Sequence, residues 1–502
     1  MKKLLLIAAL VTATAGFSQT TKYVNDVHTR ASVSRTNNIF YADGYSVLTG
    51  VPTLDSLYMD MYVSSENTDA AKPLIIYCHT GSFLPRYLNQ LATGGRDDSA
   101  TVEMCMRFAQ KGYVVASISY RTGWNPRATT ETGRKSSIIN AAYKGVQDLS
   151  AAVRYFKRDA AGSNTWKIDS TKICVGGQGT GGYLTSAYAS LDNQDEIKID
   201  KFFDFDNNEI MVNDTIWGDR MGLPIVPSTP YARSNWSSHT SNSQVAFNIG
   251  GAMGDTSWMD AGEIPLICVH GIYDPFAPYK TGVVKVPGTT LNVVEVSGGY
   301  SIMEKENALG NNAPYKGKVY DRYTFRANQL NDGLEGLFPI DGVANGSGPW
   351  EWWDSVRIRQ VLTFSPRFTQ EDITTINGNS SLSNPFMSKT RALAYIDTLQ
   401  GYIAPRIAVS LGLTASVGLK TLDLSDDVSV YPVPASNNIT VRNMNTANTM
   451  QEVVLRDING REVSRTPTSK SFLSLPLNIP TGVYFLNIQF DNGTATKKVI
   501  VD

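Results

Sequence analysis

The segment with the clearest chemical meaning is Gly177-Gln178-Gly179-Thr180-Gly181, in the middle of the chain. A short apolar run precedes it at residues 173–175, and a helix-like stretch follows it at residues 183–188. Glycines at this spacing allow a sharp turn between a strand and a helix, which presents the central side chain above a sheet. A serine in that place can attack an ester carbonyl, but the central residue here is Gly179. The sequence therefore predicts the turn without its nucleophile.

A serine esterase also needs a histidine that accepts the hydroxyl proton and an acid that orients this histidine. Asp274 follows a predicted strand, in the motif His-Gly-Ile-Tyr-Asp-Pro-Phe-Ala-Pro at residues 270–278, and is the candidate for the acid. The histidine is expected after the acid, yet the last histidine of the chain is His270. Gly336, in the segment Gly-Leu-Glu-Gly-Leu-Phe-Pro at residues 333–339, is the residue that we align with the position of the missing histidine. A nucleophile and a base are thus both absent from their expected positions.

The oxyanion donors of such enzymes are backbone N–H groups, which survive a change of side chain. The donors predicted here are those of Thr80, Gly81, Ser82 and Thr180. Three side chains could replace the serine, namely Thr180, Ser82 and Cys78. Without a downstream histidine, each would need a carboxylate such as Asp274 or Glu335 as its base, which is an uncommon arrangement.

Aromatic side chains near predicted strand ends suit a ligand pocket, because ligands of open α/β sheets bind at the carboxyl ends of the strands. The pocket residues that we predict are His79, Trp124, Trp350, Trp352 and Trp353. Stacked rings with a few polar groups suit sugars or aromatic esters. The alternative, which we favour for most of the tryptophans, is that they pack peripheral segments onto the sheet.

Strand-like and helix-like stretches alternate from about residue 58 to residue 269. Buried strands are predicted at residues 73–78, 112–120, 173–175 and 264–269, an edge strand at 56–63, and helices at 101–110, 145–161 and 387–411. This alternation predicts an α/β fold with a mostly parallel sheet and helices on both faces. The pattern lapses at about residues 191–262, which we interpret as an insertion that caps one end of the sheet.

From residue 428 the chain changes to short alternating β runs separated by turn residues, which predicts a small all-β sandwich domain. The domain boundaries that follow are an α/β domain at residues 19–418, a linker at 419–427 and the β domain at 428–502.

The chain has 502 residues, of which 42% are hydrophobic and 18% charged, and its formal net charge is −1. No basic excess favours nucleic acid as a partner. Residues 1–18 join Lys2 and Lys3 to an apolar run too short to span a bilayer, which predicts a secretory signal peptide and no transmembrane segment. Four cysteines are too few for a disulfide framework, so we expect buried free thiols. No metal site and no cofactor are predicted.

The larger domain resembles the carboxylesterase and lipase-like members of the α/β-hydrolase superfamily. The resemblance rests on residues 79–83 (His-Thr-Gly-Ser-Phe), Tyr120-Arg121, Asp148 before the glycine turn, and the motif at 270–278. Their order and spacing match the oxyanion loop, the next strand end, the helix before the turn and the acid position of those enzymes.

The final segment resembles the type A C-terminal sorting domain of the type IX (Por) secretion system. The matching motifs are Val-Tyr-Pro-Val-Pro-Ala-Ser at residues 430–436, Asp-Ile-Asn-Gly-Arg at 457–461, Pro-Thr-Gly-Val-Tyr-Phe at 480–485 and Lys-Lys-Val at 497–499. The resemblance implies export through the periplasm to the cell surface or medium, with the secretion translocon as a partner. The hypothesis from sequence is a secreted, esterase-like protein with a non-catalytic ligand-binding or scaffold role. The alternative is an ester hydrolase with a rearranged site.

Overall fold

The computed structural model describes residues 22–48, 50–341, 346–354, 358, 369–414, 417–418, 422–445, 448–490 and 493–502. The predicted signal peptide lies outside these residues. The chain divides into two compact units, Met1–Lys318 with Ala327–Ala415, and Val319–Arg326 with Ser416–Asp502. Each unit has its own apolar core.

The first unit is built on a sheet with eight strands among the described residues. In spatial order they are Val33–Ser46, Thr53–Ser64, Val114–Ile118, Lys72–Cys78, Ile168–Gln178, Val245–Ile249, Leu266–Gly271 and Leu337–Ile340. The first two strands pair antiparallel with their neighbours, and the other six run parallel. Every residue of Lys72–Cys78 is buried, as expected for a strand covered on both faces.

Helices cover the sheet. Those of the first unit include Arg86–Asn89, Ser99–Gln110, Glu131–Ala161, Thr180–Ser190, Asp214–Trp217, Gly299–Leu309, Gln370–Ser383 and Lys389–Ser410, while Arg322–Asn328 crosses the boundary between the units. Short 3-10 turns lie at Arg30–Ser32, Gln194–Lys198, Asp200–Phe202, Thr256–Trp258 and Ser425–Asp427. The apolar face predicted within residues 145–161 is buried in the core, and the helix that carries it begins 14 residues earlier than predicted, at Glu131. The α/β architecture predicted from the alternation of apolar runs is therefore present.

The insertion predicted at residues 191–262 is too long. Val245–Ile249 lies inside that range and is a fully buried strand in the middle of the sheet. This strand has only five residues and follows a serine- and asparagine-rich stretch. Its short apolar run therefore does not stand out from the insertion in the sequence. The insertion proper lies between the helix Thr180–Ser190 and the strand Val245–Ile249. Its strands, Phe203–Asp204 and Glu209–Ile210, have two residues each and are accompanied by short helical turns.

Two further elements differ from the sequence predictions. The strand Thr53–Ser64, predicted at an edge, is second in the sheet because Val33–Ser46 pairs along its outer side. A two-stranded hairpin, Thr281–Lys285 with Asn292–Ser297, follows the acid motif and was not predicted. Its strands are short, and its alternating valines mark an apolar and an exposed face.

The second unit contains two antiparallel-rich sheets. One has the order Leu422–Asp423, Gly493–Val501, Gly482–Phe490, Met450–Asp457 and Glu462–Pro467, and the other Val428–Tyr431, Asn438–Asn443 and Phe472–Pro476. Val319–Tyr320 and Val417–Gly418 form a further parallel pair. Part of the predicted linker at residues 419–427 is a β-strand, because Leu422–Asp423 pairs with Gly493–Thr494 of the β domain.

All four cysteines are buried and unpaired, as the sequence indicates. Within the described residues, no helix is both long and apolar enough to cross a lipid bilayer.

Candidate functional site

Gly179 lies at the turn between the strand Ile168–Gln178 and the helix Thr180–Ser190, with φ 54° and ψ −120°. A non-glycine residue at such a positive φ costs roughly 1–3 kcal/mol. The strand stands in the middle of the sheet, between Lys72–Cys78 and Val245–Ile249. The turn predicted from the glycine spacing is thus present at the carboxyl end of a central strand.

The neighbouring glycines are required by close packing. A Cβ at Gly181 would overlap the carbonyl oxygen of Cys78, and one at Gly177 would lie 2.5 Å from the backbone of Gly181. At Gly179 the obstacle is a side chain, because a Cβ there would overlap Thr80 Oγ1 and lie 3.0 Å from Thr80 Cβ. The hydroxyl of Thr80 therefore occupies space that a side chain at position 179 would need.

A cavity of about 570 Å³, here called the first cavity, opens beside this turn. Gly179, Thr180, Thr80 and Ser82 line it at one end. Most of the remaining wall is apolar and comes from several elements, including Ile139, Val146, Tyr183, Phe202, Trp258, Val286 and Val294. The volume lies within the range of sites for small organic ligands.

The loop at residues 79–84 holds an unusual backbone beside the turn. Gly81, Ser82 and Phe83 have φ values of 143°, 56° and 52°. Hydrogen bonds fix this conformation: Trp124 Nε1 donates to Ser82 O over 2.7 Å, and Tyr120 Oη donates to His79 O over 2.8 Å. Of the predicted oxyanion donors, Thr80, Ser82 and Thr180 line the first cavity and Gly81 does not.

Asp274 lines the first cavity and is almost completely buried. Its Oδ1 accepts the N–H groups of Phe276 and Ala277 over 2.8 and 3.0 Å, whereas Oδ2 has no hydrogen-bond partner among the described residues. Burial raises the pKa of Asp274 to about 7, and the two N–H donors oppose this only in part. Among the described residues, no basic side chain donates a hydrogen bond to Asp274.

His270 Nε2 lies 3.8 Å from Asp274 Oδ2 but does not donate a hydrogen bond to it. Its Nδ1 accepts the N–H of Gly299 over 3.1 Å, so its Nε2 carries the proton and donates to Ala277 O over 3.0 Å. Burial lowers its pKa to about 4. His270 is therefore a neutral ring with both nitrogens bonded to backbone, and it does not line the first cavity.

A buried glutamate that the sequence analysis missed faces the first cavity. Glu351 accepts a hydrogen bond from Gln178 Nε2 over 3.0 Å and one from Thr93 Oγ1 over 3.3 Å. Burial raises its pKa to about 8, and the nearby charge of Asp98 adds to this. The only signal in the sequence is one acidic residue among tryptophans at residues 350–353.

The predicted pocket residues separate into two groups. Trp124 and Trp350 line the first cavity, and the ring of Trp350 packs over Gly250. Trp353 donates through Nε1 to Asn377 Oδ1 over 2.9 Å and belongs to a separate small apolar cluster. Trp352, which is half-buried, and His79, which is buried, do not line the first cavity either.

Gly336 also lies away from the first cavity. It precedes the strand Leu337–Ile340, where a Cβ would meet Asn312 Nδ2 and Leu266 O. The chain after that strand instead brings Trp350 and Glu351 to the cavity. Gly336, compared in the sequence with a histidine position, therefore does not contribute to the first cavity.

The structure limits the substitute nucleophiles. Tyr120 Oη gives its proton to His79 O, so the Thr180 hydroxyl at 2.8 Å donates to Tyr120 and has no base beside it. The Cys78 thiol is fully buried, which raises its pKa well above its usual range. Glu335, predicted as a substitute base, pairs with Arg406 over 2.9 Å and does not line the first cavity.

Comparisons with known proteins follow the same division of the chain. Residues 59–284 match the family model BD-FAE, and residues 429–502 match the model described as secretion system C-terminal sorting domain. The large unit has the α/β-hydrolase fold. The match is to an α/β-hydrolase-like esterase domain, and the matched residues include the glycine turn at Gly179.

Solved structures that match the chain at low sequence identity include esterases. Esterase 2 of Thermogutta terrifontis, phosphonylated by cyclosarin, is 15% identical over 72% of this chain and 91% of its own, with a TM-score of 0.34. The bifunctional GH43-CE protein of Bacteroides eggerthii is 13% identical over 70% of this chain and 35% of its own, with a TM-score of 0.34. No curated protein matches the chain.

The C-terminal sorting domain indicates the export route of the protein. A C-terminal domain of this family directs a protein to the type IX secretion system, for secretion or attachment at the cell surface. The predicted export and its translocon partner agree with this match.

Proposed function

We propose that this secreted α/β-hydrolase-fold protein is a pseudoenzyme that binds a small apolar molecule in the first cavity and does not hydrolyse esters. The observation that carries the proposal is the turn at Gly179, where the first cavity opens and Thr80 Oγ1 fills the space of a side chain.

The absence of a general base supports the non-catalytic role. None of the four histidines lines the first cavity, and the two nearest its wall, His79 and His270, are buried neutral rings. Loss of the nucleophile or the base alone reduces turnover by about 10⁶-fold in serine hydrolases, so activity is not expected to survive the loss of both.

The composition of the wall supports binding of an apolar molecule. Its apolar side chains come from the loop at 79–84, the helix Glu131–Ala161 and the unpredicted hairpin. The N–H groups of Ser82 and Thr180 have no acceptor among the described residues, so they remain free to bind a ligand carbonyl oxygen. Two buried carboxyl groups, Asp274 and Glu351, also line the first cavity.

The proposal is tested by measuring p-nitrophenyl butyrate hydrolysis and the melting temperature with and without 4-phenyl-2-butanone. We expect no turnover above background, and a rise in melting temperature at ligand concentrations above Kd. Val286→Trp should fill the first cavity and abolish this rise, whereas Val283→Trp, on the exposed face of the same hairpin, should keep it.

Turnover by the purified wild-type protein that is lost in Asp274→Asn would favour the hydrolase alternative. Equal melting shifts in the two tryptophan variants would place the ligand elsewhere.

A further inference from the structure

A second cavity, of about 560 Å³, borders the same loop at residues 79–84. Leu84 belongs to the walls of both cavities, while His79 lines only the second. The second cavity lies near the carboxyl ends of the neighbouring strands, where Ser119 and Thr122 follow Val114–Ile118. Nothing in the proposed function uses it.

A larger share of its wall is polar than in the first cavity. Arg35 Nη2 and Arg96 Nε both bind the carboxylate of Asp60, over 2.7 and 3.0 Å. Arg96 also donates to Ser119 Oγ over 2.5 Å and to Asn38 Oδ1. These contacts hold several guanidinium and hydroxyl groups at fixed positions around one space.

The charges around the second cavity balance. Arg86 pairs with Asp97 over 2.7 Å and with Asp98, so three arginines face three carboxylates in this region. The neighbouring ring of His79 is neutral, since burial lowers its pKa to about 4. A balanced site attracts neither anions nor cations strongly, which favours a neutral ligand.

Two polar groups retain hydrogen-bonding capacity. His79 Nδ1 lies 2.5 Å from Thr80 O and must donate to this carbonyl, so His79 Nε2 remains an acceptor without a partner in the described chain. Arg35 uses one Nη2 hydrogen for Asp60, and its Nη1 has no acceptor among the residues that the structure describes. The cavity thus offers both a donor and an acceptor, the complement of a hydroxyl group.

We infer that the second cavity is a binding site for a neutral polyhydroxylated molecule, of the size of a monosaccharide. Arg35 donates to one hydroxyl oxygen, and His79 Nε2 accepts from a hydroxyl. The fixed guanidinium groups favour a ligand with many oxygens and no net charge.

The test is calorimetric titration of the full-length protein with methyl β-glycosides of glucose, galactose and xylose, and with the matched glucuronide. We expect a neutral glycoside to bind and the glucuronide to bind more weakly. Arg35→Gln and His79→Phe should each weaken binding by about tenfold or more, as expected for loss of a hydrogen bond to a partly buried polar group. Val286→Trp in the first cavity should leave glycoside binding unchanged.

Three results would overturn the inference: no glycoside binds at millimolar concentration, the glucuronide binds more tightly than the glucoside, or binding is lost in Val286→Trp and kept in both second-cavity variants. Melting temperatures of all variants show whether each is folded. Because Arg35 is partly exposed, Arg35→Gln tests the site even if His79→Phe does not fold.

Discussion

Asp274 keeps two backbone hydrogen bonds on one oxygen, has no partner for the other among the described residues, and has an almost completely buried side chain. In a working hydrolase, the ionised acid is stabilised by the histidine that it orients. Without that histidine, the ionised form of Asp274 only lowers the stability of the folded protein. Burial favours the protonated form, which explains the direction of its pKa shift.

This predicts that Asp274→Asn stabilises the protein at neutral and alkaline pH. The folded-state pKa of about 7 lies above the unfolded value near 4, so wild-type stability falls as pH rises between these values. The full shift corresponds to an upper limit of about 4 kcal/mol. Thermal unfolding should give similar melting temperatures at pH 4 and a higher one for the variant at pH 8.

Asp206→Asn, at an exposed position, is the matched control and should leave the pH profile unchanged. A wild-type profile that is flat between pH 4 and pH 8 would contradict this account of Asp274.

A second prediction concerns Thr80 and Gly179. Gly179→Ser should lower the free energy of unfolding by about 2–4 kcal/mol, because it combines a strained φ with overlap against Thr80 Oγ1. Thr80→Ala removes the overlapping atom, so the double variant should recover about 1–2 kcal/mol in a double-mutant cycle by urea unfolding. Ser82→Ala should show no such coupling to Gly179→Ser, and additivity in both cycles would contradict the packing argument.

At the scale of single residues, the sequence predicts the backbone conformation of the turn better than it predicts which groups surround each side chain. The spacing of Gly177, Gly179 and Gly181 predicts the turn because only this backbone needs those glycines. The partners of Asp274 and the exposure of His79 depend on residues distant in sequence. Glu351 was missed because it comes more than 170 residues after the turn that it contacts, with no spacing rule to connect them.

The hairpin Thr281–Lys285 with Asn292–Ser297 is one of the elements that shape the first cavity, since its valines form part of the wall. It is joined to the helix Glu131–Ala161 by Arg134, whose Nε donates to Asn292 O over 2.8 Å. A second Arg134 bond, from Nη1 to Ala128 O over 2.8 Å, fixes that side chain. The position of this wall thus depends on one buried arginine.

We therefore expect Arg134→Met to loosen the hairpin. Amide hydrogen exchange in residues 292–297 should become faster, and binding of 4-phenyl-2-butanone should weaken by about tenfold, since the loss of each hydrogen bond to charged Arg134 is worth about 1.5–3 kcal/mol. The neighbouring Lys135→Met is the control and should change neither measurement. Unchanged exchange at 292–297 in Arg134→Met would contradict this role.

Element prediction succeeded where apolar runs were long and bounded, as in Lys72–Cys78 and Lys389–Ser410. It failed for Val245–Ile249 and Val33–Ser46. The first is a five-residue strand inside a polar region, and the second has bulges that interrupt its alternation. Both depend on their neighbours in the sheet for stability, which local sequence does not record.

At the scale of the whole molecule, the chain joins an α/β-hydrolase unit to a sorting domain with a separate core. We predict that deletion of residues 422–502 prevents export to the surface or medium but preserves ligand binding in the first cavity. Fractionation of the native host and thermal shifts of the purified truncated protein measure the two effects. Surface delivery of the truncated protein would contradict the assignment of the address to this tail.

The position of the Thr80 hydroxyl also limits how this chain could change under selection. A mutation that placed a serine at 179 would meet an occupied space and find no histidine on the wall of the first cavity, so the intermediate would lose stability and gain no rate. Under the proposed function, serine-esterase chemistry at this turn would need at least three simultaneous changes: the serine itself, space beside Thr80, and a histidine. The crowding beside Gly179 is thus an evolutionary barrier as well as a packing constraint.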